Sequence, residues 1–255
     1  MAYLWCDRLI FVLLCGLIFV LPATTAGVEI FAGLAIFVLL VKKALGLVSA
    51  CRASRGFVLS GFALPRSAAV VSIPVGVFVL VCFLSVFLSV APDLSINAFI
   101  GKTLKTALLF FAVQECMTTR QRMTWFLRAA LVSAFILCLD AMWQFYAGQD
   151  IFKHHVLTEG RVNASFNHPN SLGAYLIVII PIAVVSVFSW AEKRRDLAGE
   201  RFARIFMGMA IAALFIAVMG LTFSRGAWLG LACAAIVFLL FDKRTWFAAV
   251  MTAVA

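Results

Sequence analysis

The feature that most constrains this chain is the recurrence of long apolar runs with almost no charge inside them. About 16 to 24 such residues, coiled into a helix, match a hydrocarbon core about 30 Å thick. Eight runs can be read: Leu9 to Leu21, Val28 to Val41, Ala68 to Ala91, Ile96 to Cys116, Ala129 to Tyr146, Leu172 to Trp190, Ile205 to Phe223 and Ala227 to Phe241. A ninth begins at Thr245. The first two are the shortest and need flanking residues such as Ala23 to Ala26 to reach across. Composition agrees: the 255 residues are 65% hydrophobic and 13% charged, with a mean hydropathy of +1.10, whereas a soluble domain is nearer half apolar. The expected fold class is all-α, a polytopic transmembrane helix bundle of about eight spanning helices plus the start of a ninth. Residues 1–255 then form a single membrane domain.

Orientation follows from the 21 Lys and Arg. With the amino terminus in the cytoplasm, alternate loops collect sixteen of them, including Lys42, Lys43, Arg120, Arg122, Lys193, Arg194 and Arg195. The remaining five, Lys102, Lys105, Lys153, Arg161 and Arg225, fall outside. All six Trp lie at or near run ends, where interfacial aromatics belong. Localisation in a bacterial inner membrane is expected, with residues 42–67 as a basic cytoplasmic segment, 147–171 as a periplasmic loop and 191–204 as a cytoplasmic loop. The first run followed by Ala23-Thr24-Thr25-Ala26-Gly27 resembles a cleavable signal. An uncleaved helix is favoured because the next apolar run follows at once.

The net charge of +10 is explained by this asymmetry, so no nucleic-acid partner is implied. The seven Cys show no C-x-x-C spacing and sit mostly in or beside apolar runs, where a thiol packs as a small hydrophobe. No zinc, P-loop or dinucleotide signature is present, and neither metal nor cofactor is expected.

Two segments break the apolar trend on the outer face. Gly160-Arg161-Val162-Asn163-Ala164-Ser165-Phe166-Asn167-His168-Pro169-Asn170-Ser171-Leu172-Gly173 carries an Arg, three Asn and a His just before a helix. Pro169 keeps His168 extended, and Asn170 and Ser171 can cap the helix N–H groups, making its amino end an anion site. Such residues also suit a well-capped membrane helix that binds nothing. The second segment, Thr222-Phe223-Ser224-Arg225-Gly226-Ala227-Trp228-Leu229-Gly230, joins two runs with almost no loop. Gly226 is expected to permit the turn, and Arg225 must either snorkel to water or meet an anion. Two outer Arg beside cap-type residues suit an anion clamp, because guanidinium forks bind phosphate oxygens in a bidentate way.

The pair G-R-x-N-A-S-F-N-H-P-N-S-L-G-A-Y-L and, some fifty residues later, T-F-S-R-G-A-W-L-G resembles the O-antigen ligase and Wzy-type O-antigen polymerase family of bacterial envelope enzymes. The resemblance runs from about Val28 to the end, and the two motifs carry it. It implies a metal-independent glycosyltransferase that takes a glycan from an undecaprenyl diphosphate carrier to an acceptor hydroxyl, in the ligases that of the lipid A core. Arg161 and Arg225 become the candidate catalytic residues, stabilising the leaving diphosphate. His168, Asn170 and Ser224 are candidate substrate-binding residues, and Lys102 and Lys105 can add positive potential or contact lipid headgroups. His154 and His155, adjacent in the outer loop, are read as solvated rather than catalytic. Family members continue through further helices and an outer segment bearing a His that assists the acceptor. The chain is therefore expected to be the amino-terminal portion of such an enzyme, inactive by itself.

Two other classes fit a polytopic chain. A transporter of lipid-linked glycans would place ionisable residues near the midplane, and only Asp140 lies well within a run. A non-catalytic membrane binding or assembly protein needs no reactive groups at all.

Overall fold

A computed structural model describes residues 2–52, 66–192 and 198–241. Among these residues the chain is helical, with no strand beyond isolated bridges. The helices are α1 (Ala2–Val20), α2 (Thr25–Arg52), α3 (Arg66–Phe87), α4 (Pro92–Ala98), α5 (Lys105–Cys116), α6 (Arg120–Ala147), α7 (Pro169–Glu192), α8 (Ala198–Leu221) and α9 (Arg225–Phe241). A π-helical turn, Phe99–Leu104, joins α4 to α5, so the fourth apolar run is one continuous helical rod with a widened turn. Each of the eight runs falls largely on helix. The ninth, with Trp246, lies outside the described residues.

Among the described residues, five helical stretches are long and apolar enough to cross a membrane: Thr25–Val48, Pro92–Cys116, Arg120–Ala147, Pro169–Val187 and Phe202–Leu221. The apolar helices Val71–Phe87 and Arg225–Val237 are shorter. Pro74 and Pro181 lie inside α3 and α7, a placement common in membrane helices.

Helix ends depart from run ends where a charge finds a partner. The second run stops at Val41, yet α2 continues to Arg52, so the expected interhelical segment 42–67 begins as helix. The charges at the end of that run are matched by partners distant in the chain: Lys42 donates to Asp7 at 2.6 Å and also to Glu115, and Lys43 meets Glu115 at 2.7 Å. Charge matched in this way no longer needs a loop to reach water. Residues 53–65 of that segment, and 193–197 of the 191–204 loop, lie outside the described residues.

The chain divides into two compact units, one comprising Met1–Leu21 and Thr25–Phe126, the other Pro22–Thr24 and Leu127–Ala255. In the first, α1, α2 and α5 pack around Ile10, Leu14, Ala35, Leu39, Ala112 and Cys116. Arg122 donates to the Cys116 carbonyl at 3.0 Å and lies over the Phe11 ring. In the second, α7 packs on α8 and α9 through Leu176, Ile180, Ala183, Phe215 and Met219. Gly173 and Gly230 let α7 and α9 approach closely: a Cβ at Gly173 would come within 2.9 Å of Ala227 Cβ, and one at Gly230 within 2.9 Å of Ile177. Small residues at such crossings are what helix association in lipid requires.

Candidate functional site

The site lies wholly in the second unit, where backbone chemistry delivers Arg161 first. Thr158 and Arg161 exchange N–H···O bonds of 3.1 and 3.0 Å around Glu159 and Gly160. Both central residues have positive φ, 55° and 74°, the geometry of a type I′ hairpin turn, which glycine adopts without strain. One residue on, Val162 N–H donates to the Leu221 carbonyl at 3.2 Å. The outer loop is thereby tied to the end of α8.

The guanidinium is then fixed from two sides. Arg161 Nε donates to the Thr222 carbonyl at 2.7 Å, and its Nη2 donates to Asn170 Oδ1 at 2.8 Å. Asn170 sits in the first turn of α7, whose cap differs from expectation. The helix begins at Pro169, and its cap is His168, whose Nδ1 accepts the Asn170 N–H at 3.2 Å while its carbonyl accepts the Ser171 N–H. Asn170 is left free to hold the arginine because proline at the first helical position puts the cap at His168, two residues before the expected Asn170.

Arg225 arrives from the turn between α8 and α9. Thr222 Oγ1 donates to the Met219 carbonyl at 2.7 Å and accepts the Ser224 N–H at 3.3 Å. Ser224, buried, caps α9 by accepting the Ala227 N–H at Oγ and the Trp228 N–H at its carbonyl. The expected role of Gly226 is corrected: it lies within the first turn of α9, and the left-handed residue is Phe223, with φ 48°. Arg225 is exposed and makes no hydrogen bond or ion pair with the described residues.

These elements enclose an open cavity of about 580 Å³. Its polar wall is Arg161, Asn170, Ser224 and Arg225, and Ala174, Ile177 and Phe223 form an apolar wall. Among the described residues no carboxylate or imidazole lines it, so this lining supplies positive charge and hydrogen-bond donors with no fixed counter-charge. The two sequence motifs thus meet at one place. His168 belongs to the same neighbourhood as a cap, not as part of the lining. Lys102 and Lys105 belong to the first unit, where Lys102 is exposed in the π-helical turn and Lys105 pairs with Glu29 at 2.6 Å.

Sequence reasoning missed what holds the loop. Gln144, fully buried on α6, accepts from Asn163 N–H (3.1 Å) and Ala164 N–H (2.7 Å) and donates to the His155 carbonyl (2.9 Å) and Asn163 Oδ1 (2.8 Å). One turn earlier, buried Asp140 accepts from Ile151 N–H at 2.7 Å and from the Ser165 hydroxyl. Asp150, also buried, accepts from Lys153 N–H and His155 N–H. The signal was present as two polar residues four apart in an apolar run, which place both side chains on one helix face. Asp140 therefore braces a loop from its helix, a role unlike that of a midplane transport residue. His154 is exposed, and the His155 ring lies 3.4 Å from the Ala164 carbonyl. Among the described residues no group of three His, Cys, Asp or Glu is placed to hold a metal ion.

No protein-family model, curated protein or solved structure matches the chain.

Proposed function

We propose that this membrane protein binds a lipid-linked glycan by its diphosphate and belongs to the transfer machinery that moves the glycan from undecaprenyl diphosphate to an acceptor hydroxyl. The observation that carries this reading is the convergence of Arg161 and Arg225 on one cavity with a polar and an apolar wall and, among the described residues, no carboxylate in its lining. Breaking the bond between sugar and lipid diphosphate leaves negative charge on phosphate oxygens. Guanidinium groups held in place before the reaction stabilise that charge without reorganising. Arg161 is preorganised by Thr222 and Asn170, and Arg225 carries a fork that has no partner among the described residues.

The reading includes an eight-pass bundle in a bacterial inner membrane, with the cavity facing the periplasm and lipid A core as the acceptor in a ligase. Apolar stretches and charge asymmetry support it. A second reading is favoured by one observation. Among the described residues the lining holds no carboxylate or imidazole to take a proton from an acceptor, so these residues would bind the donor while another segment or protein completes the transfer.

The test is donor binding and transfer in nanodiscs with Arg161→Lys and Arg225→Lys at matched protein levels. Each is expected to lower transfer about a hundredfold where transfer occurs, because a point ammonium cannot reproduce the planar fork. Binding without turnover by the unaltered chain would select the second reading. Unchanged binding in both variants would overturn both readings.

A further inference from the structure

The hairpin that precedes Arg161 is built inside out for a segment facing water. Its backbone N–H groups at Ile151, Lys153 and His155 point inward to buried carboxylates of Asp140 and Asp150. Its ammonium is drawn in as well, since Lys153 Nζ donates to the Ser165 carbonyl at 2.6 Å. Its large apolar side chains are left outside, with Ile151 53% exposed, Phe152 51% and Val156 69%, and polar Gln149 and His154 are exposed beside them. A hairpin in water does the opposite, covering apolar side chains and showing polar ones.

The preceding helix indicates what covers this face. Along α6, Val132, Ile136, Leu139, Trp143 and Tyr146 are exposed at spacings of three and four, one apolar stripe that ends in two interfacial aromatics. The helix ends at Ala147, and the hairpin closes at once through the pairing of Gln149 with Val156. A segment that starts where a membrane-spanning stripe ends lies at headgroup depth, where apolar side chains over a hydrogen-bonded backbone are stable.

We propose that residues 149–157 form an interfacial anchor whose Ile151, Phe152 and Val156 insert into the bilayer at the headgroup and acyl boundary. The inference rests on the membrane reading and extends the proposed function. Val156 lies five residues before Arg161 in the chain, so an anchor there sets the height of that guanidinium at the level of lipid phosphates.

The test uses the protein in nanodiscs of phosphatidylethanolamine and phosphatidylglycerol. A spin label is carried on a keto amino acid placed singly at Phe152, Val156, Glu159 or Val178, leaving native cysteines intact. Collision with oxygen, which favours lipid, is compared with collision with a water-soluble nickel chelate. Labels at Phe152 and Val156 are expected to favour oxygen several-fold more than the label at exposed Glu159, approaching that at Val178 on α7. Nickel access at Phe152 equal to that at Glu159, with Val178 still in lipid, overturns the anchor and leaves the membrane reading standing. Nickel access at Val178 as well overturns both, and protection of Phe152 from both reagents means a protein cover and overturns the anchor. If labels 152 and 156 report lipid while undecaprenyl diphosphate fails to bind, the anchor stands and the proposed function fails.

Discussion

In the first compact unit Lys42 lies between Asp7 and Glu115 and Lys105 meets Glu29, whereas in the second Arg161 is held by two neutral oxygens and Arg225 by none of the described residues. The acids of the second unit are used differently too. Asp140 and Asp150 accept backbone N–H groups and a hydroxyl, which shapes the loop and leaves its arginine charge in place. A cation matched by a carboxylate is largely spent on holding helices together. A cation fixed by carbonyl and amide oxygens keeps its charge for a ligand while losing its freedom. The comparison therefore separates the structural charge of Lys42 and Lys105 from the available charge of Arg161 and Arg225.

The largest expected effect on stability comes from Gln144→Leu. It leaves the N–H groups of Asn163 and Ala164 and the Asn163 Oδ1 without their partner in a buried place, which costs about 4 kcal/mol in total. A lowered unfolding midpoint in mixed micelles should accompany weaker binding of undecaprenyl diphosphate, because Arg161 is carried by the same loop. Loss of stability with full affinity would show that Thr222 and Asn170 position the arginine without help.

Lys42→Met probes the other unit. It leaves Asp7 without its cation and Glu115 with Lys43 alone, at a cost of about 3 kcal/mol. The folded fraction should bind lipid diphosphate as before. A fall in affinity as large as that caused by Arg225→Lys would break the division between structural and available charge.

How much of this was legible in the sequence differs between fold and site. Each apolar run falls largely on helix because apolar length is the dominant requirement of a bilayer-sized helix. Ends were misjudged wherever a polar side chain found a partner distant in sequence, as at Lys42 with Asp7 and Glu115, since such partners have no local signature. The π-helical turn at Phe99–Leu104 was not visible either, because apolar content does not distinguish helix types. At the site, Arg161 and Arg225 were found by their chemical misfit with their surroundings, and the structure puts both on one cavity. The cap at His168 was misplaced by two residues because proline was read as a constraint on its predecessor rather than as the first helical position. Gly226 attracted the turn assignment that belongs to Phe223, since glycine is the usual left-handed residue and Phe223 is held there by the Thr222 and Ser224 contacts.

A smaller effect is expected from Gly160→Ala. With φ at 74°, an added Cβ strains the type I′ turn by about 1 kcal/mol, though the space around it is open. Thermal unfolding should move slightly, and donor affinity should fall because the same turn aims Arg161. Unchanged affinity would mean that the hydrogen bonds beyond the turn restore the aim.

The smallest effect on stability, and the sharpest test of the comparison, belongs to Arg225→Gln. The side chain is exposed and makes no hydrogen bond or ion pair with the described residues, so its removal takes away no internal contact and the unfolding midpoint should not move measurably. Affinity for undecaprenyl diphosphate should nevertheless drop about tenfold, the scale of one charge-assisted hydrogen bond. The salt dependence of binding should weaken with it, because one fewer cation faces the phosphates. If the midpoint falls instead while affinity and its salt dependence stay constant, Arg225 is a structural charge like Lys42, and of the two cavity arginines only Arg161 is available to a ligand.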